Sequence, residues 1–297
     1  MVSLTTVGGI RMKKYLKKPQ LSRSRWGNAI MLMFLLILGA FCVLPFIYAI
    51  MQSIKPSEEI FVFPPRFLVK RPTWDNFYSL GQLTKNLWVP FSRYVFNSVF
   101  VTLTATVGHV LLASMCAYPL AKFKLPGFNV IFQVIVLSLL FAGEVKAIPS
   151  FIVMSGLGFI DTYAALILPP IASSLGLFLM KQFMEQIPGA LIEAARVDGA
   201  SNMRTWWTIV MPAVRPAWLT LIIFSFQSIW SQEGLEFIHS EALKVMPTIL
   251  RQVSSSGIAR AGESAAAAVI IMIPPIVVFL LTQSNIIETM AYSGIKE

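Results

Sequence analysis

Charge is what this chain has least of. Of its 297 residues, 13% are charged and 56% are hydrophobic, where a soluble globular domain averages about 25% charged. That shortage excludes an ordinary water-soluble fold. Acid is scarcer than base, with 14 Asp and Glu against 24 Lys and Arg, a net charge of +10. In an apolar chain, excess base reads as topology and as contact with anionic lipid. No basic run is interleaved with base-stacking aromatics, which sets nucleic acid aside. Cysteine is nearly missing. Cys42 and Cys116 lie in apolar stretches without motif spacing, which suggests neither a disulfide framework nor a metal site. The two histidines are His109, inside an apolar run, and His239, in a loop. An intramembrane histidine is a functional candidate by default, but His109 is read here as a packed, hydrogen-bonded residue between helices. No GxxxxGK[ST] occurs, so no phosphate cradle for ATP is encoded, and HExxH, CxxC and GxSxG are absent too. With no carboxylate pair placed as an acid/base couple, the chain is not expected to be an enzyme or to hold a cofactor or metal itself.

What is there is a series of charge-free runs: residues 29–51, 94–121, 125–143, 162–180, 216–232 and 264–287. About 20 apolar residues cross the hydrocarbon core, so these predict an all-α, polytopic transmembrane helical bundle of six spans with both termini on one side. Pro45 predicts a kink in the first span, and Pro169-Pro170 a break in the middle of the fourth. Residues 147–160 are also uncharged but too few to cross, and predict a surface or re-entrant helix. Lys and Arg in short loops set orientation. Arg11, Lys13, Lys14, Lys17, Lys18, Arg23 and Arg25 precede the first span with no acid among residues 1–28, Lys122 and Lys124 flank a tight turn, and residues 147–161 carry no base. The long loop 52–93 is basic but long enough to obey the rule weakly. Residues 1–28 are therefore expected to be a cytoplasmic, uncleaved N-terminal segment (with Met1 or Met12 as the start), 29–287 the membrane domain, and 288–297 a cytoplasmic tail.

One polar connection, residues 181–215, is long for a link between spans. Pro188 suits the first turn of a short helix, and Ala190 to Arg196 are mostly good helix formers. Gly199, after Asp198, can end that helix in the left-handed conformation. Ser201 can cap a second helix, whose Trp206 and Trp207 suit a headgroup interface.

Glu193-Ala194-Ala195, Asp198-Gly199-Ala200, then Ile209 and Pro212, resemble the EAA loop of binding-protein-dependent ABC importer permeases, in the version found in the sugar-importer branch of maltose-permease type. Met211 stands where that branch usually has Leu, a swap conservative in volume. Pro72-Thr73 with Asn76-Phe77, the stretch Leu157 to Tyr163 followed by Leu166 to Pro169, and Met246-Pro247-Thr248 are similar to the same family in order and spacing. The ending after Ile287 resembles permeases for rhamnogalacturonan and other complex oligosaccharides. The resemblance implies an ABC importer permease in the cytoplasmic (inner) membrane of a bacterium. It implies a second, different permease subunit, two ATPase subunits that bind ATP and Mg, an extracytoplasmic solute-binding protein and a sugar substrate. Glu193, Ala194, Ala195, Asp198 and Gly199 would be the ATPase-coupling residues. Residues 233–263 would project toward the binding protein.

The fifth run is the most polar. Phe226, Gln227, Trp230 and Ser231 are expected to line the substrate pathway, since polar groups in lipid need a partner or a water-filled path. An amide can bond sugar hydroxyls, and an indole can cover a sugar's apolar face. Hydrogen bonding between helices explains the same residues equally well. Two other functions compete. An ion-driven secondary transporter would show repeats and a midplane ion site, and no Asp or Glu sits in a span core. A purely structural membrane subunit would need no pathway at all.

Overall fold

The computed structural model describes residues 25–85, 89–123, 125–141 and 143–294, so residues 1–24 of the expected cytoplasmic segment 1–28 and the last residues, 295–297, lie outside the described residues. Among the described residues every regular element is helical. An apolar chain in lipid must satisfy its backbone groups internally, and helices do so within one segment. Four helices are long and apolar enough to cross a membrane, or five if one bent pair counts as a single span.

The chain divides into two units, residues 1–48 and 49–297. In the first lies most of α1 (Arg25–Ser53), which runs unbroken through Pro45. The second begins with a short turn, α2 (Ser57–Ile60), and α3 (Asp75–Lys85). Asn76 Nδ2 donates to the carbonyls of Ser53, at 2.8 Å, and Lys55, at 2.7 Å. That explains why an amide follows the Pro-Thr of this loop. Next comes α4 (Phe91–Lys122), the central helix, against which α7 (Tyr163–Ile171), α8 (Ser174–Glu185) and α12 (Arg215–Trp230) pack. Between them lie α5 (Phe128–Ser138) and α6 (Gly143–Gly156).

Two contacts fix the direction of α7 and α8 relative to α4. Near the start of both, Tyr163 Oη donates to Asn97 Oδ1 at 2.7 Å. At the far end, Lys122 Nζ donates to the carbonyls of Glu185, at 3.2 Å, and Ile187, at 2.5 Å. The two rods run parallel, so residues 123–162 carry the chain back along their length. The third run does this differently from the single span expected over 125–143. At 11 residues, α5 reaches about 16 Å, short of a hydrocarbon core of about 30 Å. Ser138 Oγ turns back to the Ile135 carbonyl at 2.6 Å and meets Ser174, pinning the helix end before α6 begins. The fourth run is broken as expected, but one turn later. The helix carries Pro169 and Pro170 in its final turn, ends at Ile171 and resumes at Ser174.

The 181–215 connection contains α9 (Gly189–Val197), α10 (Asn202–Thr205), a π-helical turn at Trp206–Val210 and α11 (Met211–Ala213). The segment Asn202–Ala213 meets α12 at 82°, because Pro212 and Pro216 cannot donate to a continuous ladder. The chain finishes with α13 (Met246–Ser255) and α14 (Ala261–Gly294). The residues expected as a separate tail from 288 continue α14 as far as Gly294.

Candidate functional site

Two places carry the sequence candidates. The first is α9, presented at the end of the molecule where α4 and α8 finish. Ile192 and Ala195 are buried, the former packed with Trp206 and Val210. Glu193, Ala194, Asp198 and Gly199 are exposed. The two alanines therefore face opposite ways: Ala195 lets α9 sit close on its own chain, and Ala194 alone offers a small outward surface. Leu191 and Val197 share the exposed side at 50% and 88% exposure, an apolar display unusual for a helix in water and typical of a surface that meets a partner.

The helix ends by local chemistry. Gly199 has φ +77°, its N–H donates to the Arg196 carbonyl at 3.0 Å, and the Ala200 N–H donates to the Ala195 carbonyl at 2.9 Å. This is the paired closure that a left-handed glycine permits. A Cβ on Gly199 would meet nothing of this chain within 4 Å, so the glycine answers to backbone geometry, with open space in front of it. Ser201 caps α10 by accepting from Arg204 N at 3.3 Å. Arg196 lies over the Phe123 ring at 5.5 Å, which ties α9 to the end of α4. Of the two tryptophans expected at an interface, Trp207 is exposed and Trp206 is buried. The π-helical turn sends them to different sides.

The second place is α12. Phe226 and Trp230 are buried with their rings stacked at 5.7 Å. The Trp230 indole N–H donates to the Ile271 carbonyl of α14 at 2.9 Å. The indole thus joins α12 to α14, with the Phe226 ring stacked on it. Gln227, Ser228 and Ser231 are exposed on the other side. A cavity of about 80 Å³ opens between α12 and the α7–α8 break, with His109, Ser173, Ser225 and Ser228 among its walls. Sequence reasoning singled out neither Ser173 nor its nearness to Ser225, because the contact joins residues about fifty apart in the chain.

At the opposite end of α4, residues 233–255 fold down on the bundle instead of projecting. Asp161, at φ +59°, accepts from His239 N at 3.0 Å and Ser240 N at 2.8 Å. Asn97 Nδ2 donates to the carbonyls of Ala242 and Lys244, each at 2.9 Å. Met246 N donates to Ser98 Oγ at 2.7 Å, and α13 buries Met246, Ile249 and Val253. Glu241 is the loop's charged anchor. Burial alone would push its carboxyl up. The hydrogen bonds from Lys244 and Tyr94 outweigh that and hold it below the usual carboxylate range. Among the described residues no group of His, Cys, Asp and Glu is placed to hold a metal.

The family described as binding-protein-dependent transport system inner membrane component matches residues 79–291. Protein LplC of Bacillus subtilis (strain 168) is 31% identical over 230 residues, which cover 75% of this chain and 74% of LplC. The polygalacturonan/rhamnogalacturonan transport system permease protein YtcP of the same strain is 32% identical over 227 residues, 74% of this chain and 75% of YtcP. Among solved structures, a chain of a bacterial ABC transporter involved in the import of the acidic polysaccharide alginate shares the fold. Its TM-score is 0.76 at 21% identity, covering 88% of this chain and 98% of that one.

Proposed function

This chain belongs to the binding-protein-dependent transport inner membrane component family, and from that premise we propose that it is a permease subunit of an ATP-driven importer carrying an oligosaccharide inward across the cytoplasmic membrane of a bacterium. The observation that carries the reading is α9. A short helix between two membrane segments shows Leu191, Ala194 and Val197 outward, and a left-handed glycine closes it. An ATPase subunit would seat on that surface, and its motion on binding ATP and Mg would pass through α9 to α8 on one side and α10–α12 on the other. Because Arg196 rests on Phe123 and Ile192 is buried with Trp206, α9 would move as one body with the end of α4. The sugar class is supported by the name of the relative YtcP.

Six crossings, with both termini cytoplasmic, suit this role. The parallel course of α4 and α7–α8 leaves a return to be made between them, and in the six-span reading α5 and α6 together would make it. Bases at Lys122, Lys124, Arg196 and Arg204 agree with a cytoplasmic α9. A second, different permease would complete the pathway, two ATPase subunits would dock below, and a solute-binding protein would deliver substrate above.

The test uses the whole complex in nanodiscs and in inverted and right-side-out vesicles. ATP hydrolysis should rise on adding the binding protein with oligogalacturonide or rhamnogalacturonan fragments, and uptake should stop on ATP depletion while surviving an ionophore. Uptake that persists without ATP and collapses with the ion gradient would overturn the proposal.

A further inference from the structure

A cavity of about 190 Å³ lies at the root of the coupling loop, where the last turns of α4 meet α10 and the π-helical turn. Its walls are Met115, Pro119, Phe123 and Met203, all apolar, together with Tyr118, Trp206 and the polar Asn202. The two last residues are 4% and 6% exposed. The Tyr118 hydroxyl and the Trp206 indole Nε1 are both buried, and neither has a hydrogen-bond partner. A buried donor left unsatisfied is costly, and native structures rarely leave two together. Indole N–H can only donate, and a phenol donates readily, so what completes this site must bring acceptor oxygens. A cation stands beside it. Arg196 lies 5.5 Å from the centre of the Phe123 ring, and that ring meets Tyr118 edge-on at 5.4 Å. Largely apolar walls, two orphan donors and a nearby guanidinium describe an amphipathic, anionic guest.

We propose that this cavity binds an anionic phospholipid of the cytoplasmic leaflet, with phosphate oxygens accepting from Tyr118 Oη and Trp206 Nε1 near Arg196, and the start of an acyl chain against Met115, Pro119 and Met203. Position supports a lipid as the source. Lys122 is the final residue of a 32-residue apolar helix, so the cavity sits where a span leaves the hydrocarbon core. Trp207 is exposed alongside, as suits a headgroup layer. The lipid would then fill the space behind α9 and stiffen the joint between α4 and the coupling loop. The inference rests on the membrane orientation proposed above and deepens it by naming a ligand of the same loop.

The experiment takes the complete complex in nanodiscs containing phosphatidylglycerol that carries a photoreactive diazirine high on one acyl chain, with a phosphatidylcholine probe as the comparison. Illumination and peptide mapping should place label from phosphatidylglycerol on the segments around Met115–Phe123 and Asn202–Trp206. Tyr118→Phe should lower that labelling by about tenfold, the worth of one hydrogen bond to a charged group. Arg196→Gln, which leaves the cavity wall intact, should lower it as well and narrow the preference over phosphatidylcholine. Equal labelling by both probes, or labelling unchanged by both substitutions, would overturn the proposal. So would displacement by excess soluble glycerol phosphate, which would make the free ester the ligand. Stimulated ATP hydrolysis measured in the same nanodiscs reports on the transport reading separately, so loss of one result does not decide the other.

Discussion

His109 Nδ1 lies 2.8 Å from the carbonyl oxygen of Pro170. That carbonyl lies in the last turn of α7, where it also accepts from Ser173 N at 3.2 Å, and the imidazole N–H of the neighbouring helix α4 adds a second bond. The other side of the ring is pressed on α8, since a Cβ added at Gly176 would fall 1.9 Å from His109 Nε2. One side chain of α4 thus holds both halves of a broken span, and a missing side chain on α8 makes room for it.

Gly176→Ala should therefore destabilise the purified complex by about 1–3 kcal/mol, the usual range for overpacking. His109→Ala in the same chain should recover much of that loss, because it removes the colliding ring. Thermal unfolding of the four members of this double-mutant cycle measures the coupling. Simple additivity of the two substitutions would contradict the contact.

At α9 the expected penalty divides between backbone and partner. Gly199→Ala places a Cβ in open space at φ +77°, so the subunit alone should lose only about 1–2 kcal/mol, the cost of a left-handed L-residue. Gly199→Leu should insert and assemble with its partner permease yet lose ATPase docking or uptake. Glu193→Ala should weaken docking without altering the subunit's stability, since Glu193 is exposed. Co-purification of the ATPase and vesicle uptake check both. Normal uptake by Gly199→Leu and Glu193→Ala would remove α9 from the coupling path.

On α12 neighbouring residues should behave differently. Trp230→Phe keeps the stack on Phe226 but leaves the Ile271 carbonyl without its indole donor, which should cost about 1–3 kcal/mol of stability. Gln227→Leu should leave stability within about 0.5 kcal/mol, as for exposed positions, and reduce uptake if its amide meets substrate. Melting temperature and initial uptake rate, measured on both variants, separate the two roles. A stable Trp230→Phe would be inconsistent with the α12–α14 tie.

The outer loop should loosen in acid. Glu241 has a folded-state pKa below its unfolded value, so its contribution is complete above the ordinary carboxylate pKa of about 4.3. It is lost as pH falls through the lower, folded value. Glu241→Gln removes the carboxylate that accepts hydrogen bonds from Lys244 and Tyr94 and should lower stability at neutral pH by about 1.5–3 kcal/mol. It should also flatten the acid limb. Hydrogen exchange of residues 241–255 across this range is the measurement, and an unchanged acid limb in Glu241→Gln would refute the assignment.

Sequence alone determined the features set by chemistry within a turn or a single run. Four of the six charge-free runs located helices long enough to cross, the proline pair foretold the break between α7 and α8, and Gly199 and Ser201 marked where α9 stops and α10 starts. These signals are legible because each acts on its own neighbours. Tertiary structure decided which way side chains face. Polar and apolar residues are scattered around α12 without a helical period, so the sequence offered no inward face. The Ile271 carbonyl, 41 residues away, turned Trp230 into the bundle and left Gln227 outside. The same holds for Ala194 and Ala195, adjacent and chemically identical, which only the packing of α9 on Trp206 separates. At the end of α5 Ser138 meets Ser174, 36 residues on, and Tyr118 and Trp206, on distant parts of the chain, line one cavity. Such contacts join parts of the chain that no local rule relates, and folding alone brings them together.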